Sequence, residues 1–262
     1  MMSSIETLSK PATVAMANEW FQFATTDHFW MQWRHRLIVQ AVKRSGTAII
    51  RGLEIGCGNG VARQMLERDL AIAVDGCDLN QPALELAKPG RGRLFVYDIF
   101  DQEPSLLRHY DVVFLLDVLE HIRDDSEFLA AALRHLRDGG VVVVNVPAGR
   151  FLFSDYDRVQ GHVRRYTRNS LARLFDKCGV ETLGTRPWGL LMVPFLLARK
   201  ALLGWTRPNS AEAIMRKGFM PPNRTAQLLL HGLKNIETKL PLPVPLGTSM
   251  VAWGRFRNSS HA

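Results

Sequence analysis

The chain has 262 residues, 47% of them hydrophobic and 22% charged, with a formal net charge of +8 at pH 7. That balance belongs to a folded globular chain and excludes a disordered polymer, a collagen-like repeat and a disulfide-stapled miniprotein. The basic surplus favours anionic partners (nucleic acid, phospholipid headgroups or phosphorylated metabolites) without choosing among them.

In chain order, residues 1–18 lack the apolar core of a signal peptide. Residues 18–44 then place Trp20, Phe21, Phe23, Phe29, Trp30, Trp33, Leu37 and Ile38 at roughly helical spacing, which predicts one or two helices packed on a core. From residue 48 short apolar runs at 48–55, 71–78, 93–97, 111–116 and 141–146 read as strands, and 61–68, 81–87 and 125–135 read as helices between them. The unbroken run Val141-Val142-Val143-Val144 suits a strand buried on both faces of a parallel sheet. Alternating strands and helices predict an α/β doubly wound, mostly parallel sheet with right-handed crossovers.

Beyond residue 150, Thr167 caps a predicted helix that runs to Lys177 and stops at Gly179, and a strand follows near 180–185. Residues 187–246 are rich in proline and hold two apolar helical stretches, 190–203 and 226–240. A last strand is expected at 249–256, with a frayed tail from residue 258. The expected organisation is therefore an N-terminal helical segment (1–47), an α/β core (48–186), a helical insertion or cap (187–246) and a final strand with tail (247–262).

The longest uncharged apolar stretch, 187–198, is too short to span a bilayer, so a cytoplasmic location is expected. Cys57, Cys77 and Cys178 are scattered and form neither a disulfide framework nor a zinc spacing. No carboxylate/His cluster of metal-ligand type stands near the site motifs, and no metal is expected.

The first strand of the core ends in Glu54-Ile55-Gly56-Cys57-Gly58-Asn59-Gly60 and leads into a helix. Glycines there let the backbone turn tightly and approach a ligand. A dinucleotide fingerprint would want glycine where Val61 stands, and no Lys-Ser/Thr pair follows to make a phosphate loop. A diphosphate ligand is disfavoured. Asp78 ends the second strand, where a carboxylate sits over the ribose of a nucleoside bound at the switch point. A plain glycine turn followed by a capping aspartate would use the same residues.

This constellation resembles the class I S-adenosylmethionine-dependent methyltransferases. The segment Leu116-Asp117-Val118-Leu119-Glu120-His121-Ile122 is similar to the "LEH" signature of their small-molecule branch, which includes the ubiquinone-pathway O-methyltransferases. Leu136-Arg137-Asp138-Gly139-Gly140 resembles the family's approach to its fifth strand. Outside this core, Asp27-His28-Phe29-Trp30 with Arg34 and Arg36 resembles the "HFW…R" segment of a bacterial subgroup. Gly161-His162-Val163-Arg164-Arg165-Tyr166 resembles its "GHxRRY" box, and Gly247-Thr248-Ser249 its "lGxS" ending.

The resemblance implies a Rossmann-like, seven-stranded sheet and S-adenosyl-L-methionine as cofactor. It implies that Glu54, Gly56, Cys57, Gly58 and Gly60 follow the methionyl and ribose part. Asp78 and Leu79 would hold the ribose, Asp98 and Ile99 the adenine, and Asp117 the methionyl ammonium.

Methyl transfer from a sulfonium mainly needs alignment and exclusion of water. A base is needed only for a hydroxyl or ammonium acceptor, and His121 and His162 are the candidates. A backbone hydrogen bond that closes the loop would equally account for His121. Arg164, Arg165 and Tyr166 would either bind an acidic group of the acceptor or, through Asp155 and Asp157, order a lid. Phe29 and Trp30 would shut the cofactor cleft or simply pack.

The expected function is methylation, on oxygen, of a small or lipid-linked molecule. A nucleic-acid methyltransferase is favoured only by charge, since the segment after the fourth strand lacks the Asn/Asp-Pro-Pro-aromatic motif and the chain lacks a Pro-Cys nucleophile. A non-catalytic module would have no use for the glycine loop together with both acids. The insertion, with Arg199, Lys200, Arg207, Arg216 and Lys217 among its leucines and tryptophans, suits an anionic membrane surface, a self-packed cap or a homodimer contact.

Overall fold

The computed structural model describes residues 5–12, 25–206, 224–239 and 246–257. Trp20, Phe21 and Phe23, the cations Arg207, Arg216 and Lys217, and the tail from residue 258 lie outside them. One sheet runs through the described residues in the order β1-β4-β3-β2-β5-β6-β8-β7. Its strands are β1 (Ile5–Thr7), β2 (Arg51–Ile55), β3 (Ala73–Asp78), β4 (Leu94–Val96), β5 (Tyr110–Leu116), β6 (Leu136–Pro147), β7 (Val180–Trp188) and β8 (Ser249–Phe256). β8 runs antiparallel between β6 and β7, and the other pairs are parallel.

Among the described residues the sheet has eight strands, one more than expected. The extra strand lies in the segment expected to be helical. Ile5 to Thr7, with β-branched residues at both ends, add in parallel register to Leu94–Val96 at the open edge.

Helices α1 (Phe29–Arg44) and α2 (Val61–Leu70) cover one face, and α4 (Asp125–Leu133) and α6 (Arg168–Lys177) the other. The short helices α3 (Gln81–Glu85) and α5 (Asp155–Val159), and the longer α7 (Val193–Thr206) and α8 (Arg224–Lys239), are the other α-helices among the described residues. The valine run of β6 shows why both faces need cover. Val142 and Val144 pack with Leu129, Leu171 and Phe175, whereas Val141 and Val143 pack with Trp33, Ile38 and Leu66. Successive side chains point to opposite faces, so each β-branched residue finds a buried place.

Buried polar groups lock the register around the future site. Glu67 on α2 accepts from the backbone N–H of Val74, Arg91 and Gly92, while fully buried Arg63 donates to the carbonyls of Lys88 and Gly92. Asp111 at the start of β5 accepts from the N–H of Ile50 and Arg51, aligning β2 with its neighbour. The strand order reverses direction at β2, between β3 and β5. A ligand crevice belongs at the carboxyl ends of those strands.

Candidate active site

A cleft of about 410 Å³ opens there, lined by the glycine loop, Asp78, the segment 116–122 and residues from α1, α5 and α7. Gly56 leaves β2 at φ +74°, and an added Cβ would lie 2.7 Å from a Val118 methyl. The N–H groups of Gly56 and Cys57 both donate to the Cys77 carbonyl, which makes the turn tight. Gly60 (φ +69°) then starts α2 in the left-handed region that glycine tolerates.

Asp78 accepts from the N–H of Gly58 at 2.8 Å and of Asn80 at 2.9 Å, one on each oxygen. Burial raises its pKa. Each oxygen keeps a lone pair for a further donor. Glu54, only 2% exposed, faces the same cleft, and its Oε2 has no hydrogen-bond partner. Burial pushes its pKa up to about 7, against the opposing pull of Arg34 and Arg63. A buried carboxylate left this way is a site prepared for a cation.

Asp117 is engaged differently from the role its resemblance implies. It stands just past β5 at φ +61° and accepts from Arg34 of α1 and from the amide of Asn145 on β6. Asn145 accepts in turn from the Trp188 indole at 3.0 Å. Trp188 packs against Trp30, their ring centres 4.3 Å apart, and against Trp33. This chain of contacts ties α1, β5, β6 and the start of the insertion together. Phe29 and Trp30 line the cleft, and the Nδ1 of His28 caps α1 by accepting from the Trp30 N–H.

Three residues expected around the nucleoside do not open onto the cleft. Asp98 caps its own turn by accepting from the Phe100 N–H, and Ile99 is buried in the core. Leu79 is covered because residues 5–12 run across the ends of β3 and β4. The Ala12 N–H donates to the Leu79 carbonyl, and the Ser9 hydroxyl accepts from the Asp98 N–H.

The basic box is a clasp. Arg165, buried, donates to Asp157 at 2.7 Å and to the carbonyls of Ala148 and Thr248. Arg164 pairs with Asp125 and Tyr166 donates to the same carboxylate; neither lines the cleft. Asp155 pairs with Arg158 instead. Arg164 and Tyr166 thus fit the lid-ordering alternative, whereas Arg165, held by Asp157, also lines the cleft.

His121 and His162 are brought together inside the cleft, ring centres 4.8 Å apart and nearly perpendicular. Burial, with the nearby His162, lowers the His121 pKa to about 4, so its ring is neutral near pH 7. Glu120 stands beside them, 1% exposed, with neither carboxylate oxygen hydrogen-bonded. Burial and the neighbouring Asp117 raise its pKa. The expectation that no carboxylate/His cluster lies near the site motifs is thus corrected, because α5 and the turn after it carry His162 back across the sheet to the LEH segment.

Sequence reading also missed Asn145, hidden in an apolar strand, and the insertion residues Met192, Leu196 and Arg199 that wall the cleft. Arg199 lies over the Tyr156 ring at 3.9 Å. A single polar residue inside the valine run was the one available signal for Asn145.

A family model described as a methyltransferase domain matches residues 2–184. A probable S-adenosylmethionine-dependent methyltransferase of Mycolicibacterium smegmatis is 28% identical over 165 residues, covering 61% of this chain and 62% of that one. A ubiquinone biosynthesis O-methyltransferase of Aromatoleum aromaticum is 32% identical over 162 residues, 53% of this chain and 68% of that one. Among solved structures, phosphoethanolamine N-methyltransferase 2 of Haemonchus contortus, in complex with S-adenosyl-L-methionine, superposes with a TM-score of 0.54 at 17% identity. That similarity covers 85% of this chain and 53% of the other, and it speaks for the fold. The chain thus spans about three fifths of the Mycolicibacterium relative.

Proposed function

The chain belongs to the methyltransferase-domain family, and on that premise we propose that it transfers a methyl group from S-adenosylmethionine to an oxygen of a small or lipid-linked acceptor. The observation that carries this reading is the pair of acids in the cleft: Glu54 with an unpartnered oxygen and Asp78 with free lone pairs, on either side of the Gly56–Gly60 loop. These residues fit an amino-acid nucleoside, and the loop has no basic residue for a diphosphate. Bound S-adenosylmethionine supplies a methyl group activated by a sulfonium charge.

The residues of the chain supply the rest. Asp78 accepts from ribose hydroxyls, and Glu54 holds the ammonium. Asp117 is already neutralised by Arg34, so its part is to hold α1 over the site. Phe29, Trp30, Met192 and Leu196 exclude water from the reacting atoms. An acceptor hydroxyl must shed its proton, and the end of the cleft where it would do so carries His121 and His162 beside the buried Glu120.

The name of the Aromatoleum relative supports oxygen as the target. A hydrophobic acceptor is supported by α7. One side of this helix lines the cleft, while Phe195, Leu197, Leu202 and Trp205 are exposed, the last at 87%. No helix among the described residues is long and apolar enough to cross a membrane. The exposed side chains suit contact with a membrane surface.

Calorimetry with S-adenosylhomocysteine tests the reading: stoichiometric binding, abolished or weakened at least tenfold by Asp78→Ala, is expected. A folded wild type that binds neither S-adenosylmethionine nor its product overturns it.

A further inference from the structure

We propose that Glu120, His121 and His162 form a binding site for one divalent transition-metal ion, with its open coordination positions facing the acceptor end of the cleft. The donor atoms of the three side chains all lie within 4.8 Å of one another. They come from two separate segments, the turn Leu119–His121 after β5 and the loop after α5, and all three line the cleft.

Three independent features point to a cation. Glu120 is buried with both oxygens unpartnered, and so is the Nε2 of His121. The Nε2 of His162 stands 4.0 Å from the Glu120 Oε1, too far for a hydrogen bond. Ligands each about 2.0–2.2 Å from a tetrahedral zinc-like ion stand roughly 3.3–3.6 Å from one another. The Glu120–His162 pair stands at 4.0 Å and all three donors within 4.8 Å, so binding an ion would draw the side chains inward by rotation.

One outer contact is of the kind that metal-binding histidines use. His162 turns its Nδ1 to Asp157 at 3.2 Å. The His162 ring is thereby oriented with its Nε2 toward Glu120, as a carboxylate in the outer shell does for a metal ligand. Asp157 is itself fixed by Arg165 and by the N–H and hydroxyl of Ser154. Two imidazoles and one carboxylate favour zinc, cobalt, manganese or iron over magnesium or calcium.

The role of the ion rests on the methyl-transfer reading above. An acceptor hydroxyl bound at an open position would have its pKa lowered and its proton released to solvent. The freed oxygen lone pair forms the O–CH3 bond as the S–CH3 bond breaks, and that electron pair stays on sulfur.

Chelator-stripped full-length protein is titrated with Zn2+ by calorimetry and with Co2+ by visible absorption. Expected are one ion per chain, cobalt d–d bands of a nitrogen/oxygen site, and a higher melting temperature with zinc. Glu120→Gln and His162→Gln should each weaken zinc binding by more than about 10–100-fold, the loss that follows removal of a mere outer-shell partner. Their affinity for S-adenosylhomocysteine serves as the check that they fold. Absent binding, weak non-stoichiometric binding, or unchanged zinc affinity in both folded variants overturns the proposal. Homocysteine-nucleoside binding without zinc binding sinks the metal site alone, and zinc binding without nucleoside binding sinks the methyl-transfer reading alone.

Discussion

Arg34, on the second turn of α1, donates to the carboxylate of Asp117, on the loop that leaves β5 at the switch point. Arg34 is almost wholly buried and Asp117 partly so, and Asn145 holds the other oxygen of the carboxylate. The ion pair therefore ties α1 to the loop that walls the cleft, alongside the core packing of Trp33 and Ile38.

Arg34→Ala should destabilise the protein by roughly 1.5–3 kcal/mol, the range for hydrogen bonds to a charged group. It should also weaken S-adenosylhomocysteine binding, because Trp30 and Phe29 ride on the same helix. Arg34→Lys should recover part of both, since an ammonium keeps the charge but not the planar fork. Urea melts and calorimetry measure the two effects; equal loss in the lysine and alanine variants would contradict this account.

Glu54 gives the cofactor site a pH signature. Its pKa lies at about 7 in the folded chain against 4.5 ordinarily. The native state therefore holds an extra proton between those values, and its contribution to stability is present at low pH and lost as pH rises through that window. A ligand ammonium needs the ionised form, so nucleoside affinity should rise with pH up to about 7. Binding at about pH 6 should release a proton, seen as a buffer-dependent calorimetric enthalpy. Glu54→Gln should bind more weakly and lose both effects.

Gly56→Ala should cost roughly 1–2 kcal/mol from the left-handed backbone alone. The added methyl would also press on Val118, which the double substitution Gly56→Ala/Val118→Ala relieves. Thermal melts of the two single variants and the pair should show coupling between the sites. Strict additivity would mean that the contact does not matter.

If α7 meets a membrane, sedimentation with vesicles should rise from neutral to anionic phosphatidylglycerol mixtures and fall with salt. Phe195→Ser with Leu202→Ser should reduce binding without altering nucleoside affinity, since neither side chain lines the cleft. Negligible sedimentation with both vesicle types would leave the helix as a closed cap.

Local chemistry carried most of the fold. The strands at β2, β3, β5 and β8 and the Thr167-capped helix lie where periodicity and turn residues put them, within a few residues. β1 escaped because three residues carry no period, and only the open edge of β4 makes them a strand. The glycine loop and Asp78 were legible for the same reason that the strands were: spacing along the chain sets their geometry, and the cleft shows both.

Contacts between segments distant in sequence were decided by the tertiary structure alone. Asp98 was given to a turn because residues 5–12 cross over it, and the GHxRRY arginines were given to Asp125 and Asp157. Asp117 was paired with an arginine from α1, and His162 was brought to Glu120 and His121. A sequence specifies which side chains carry charge or a lone pair. Which of them spend it on a neighbour, and which remain unspent in a cleft, depends on the packing of segments whose separation no local rule encodes.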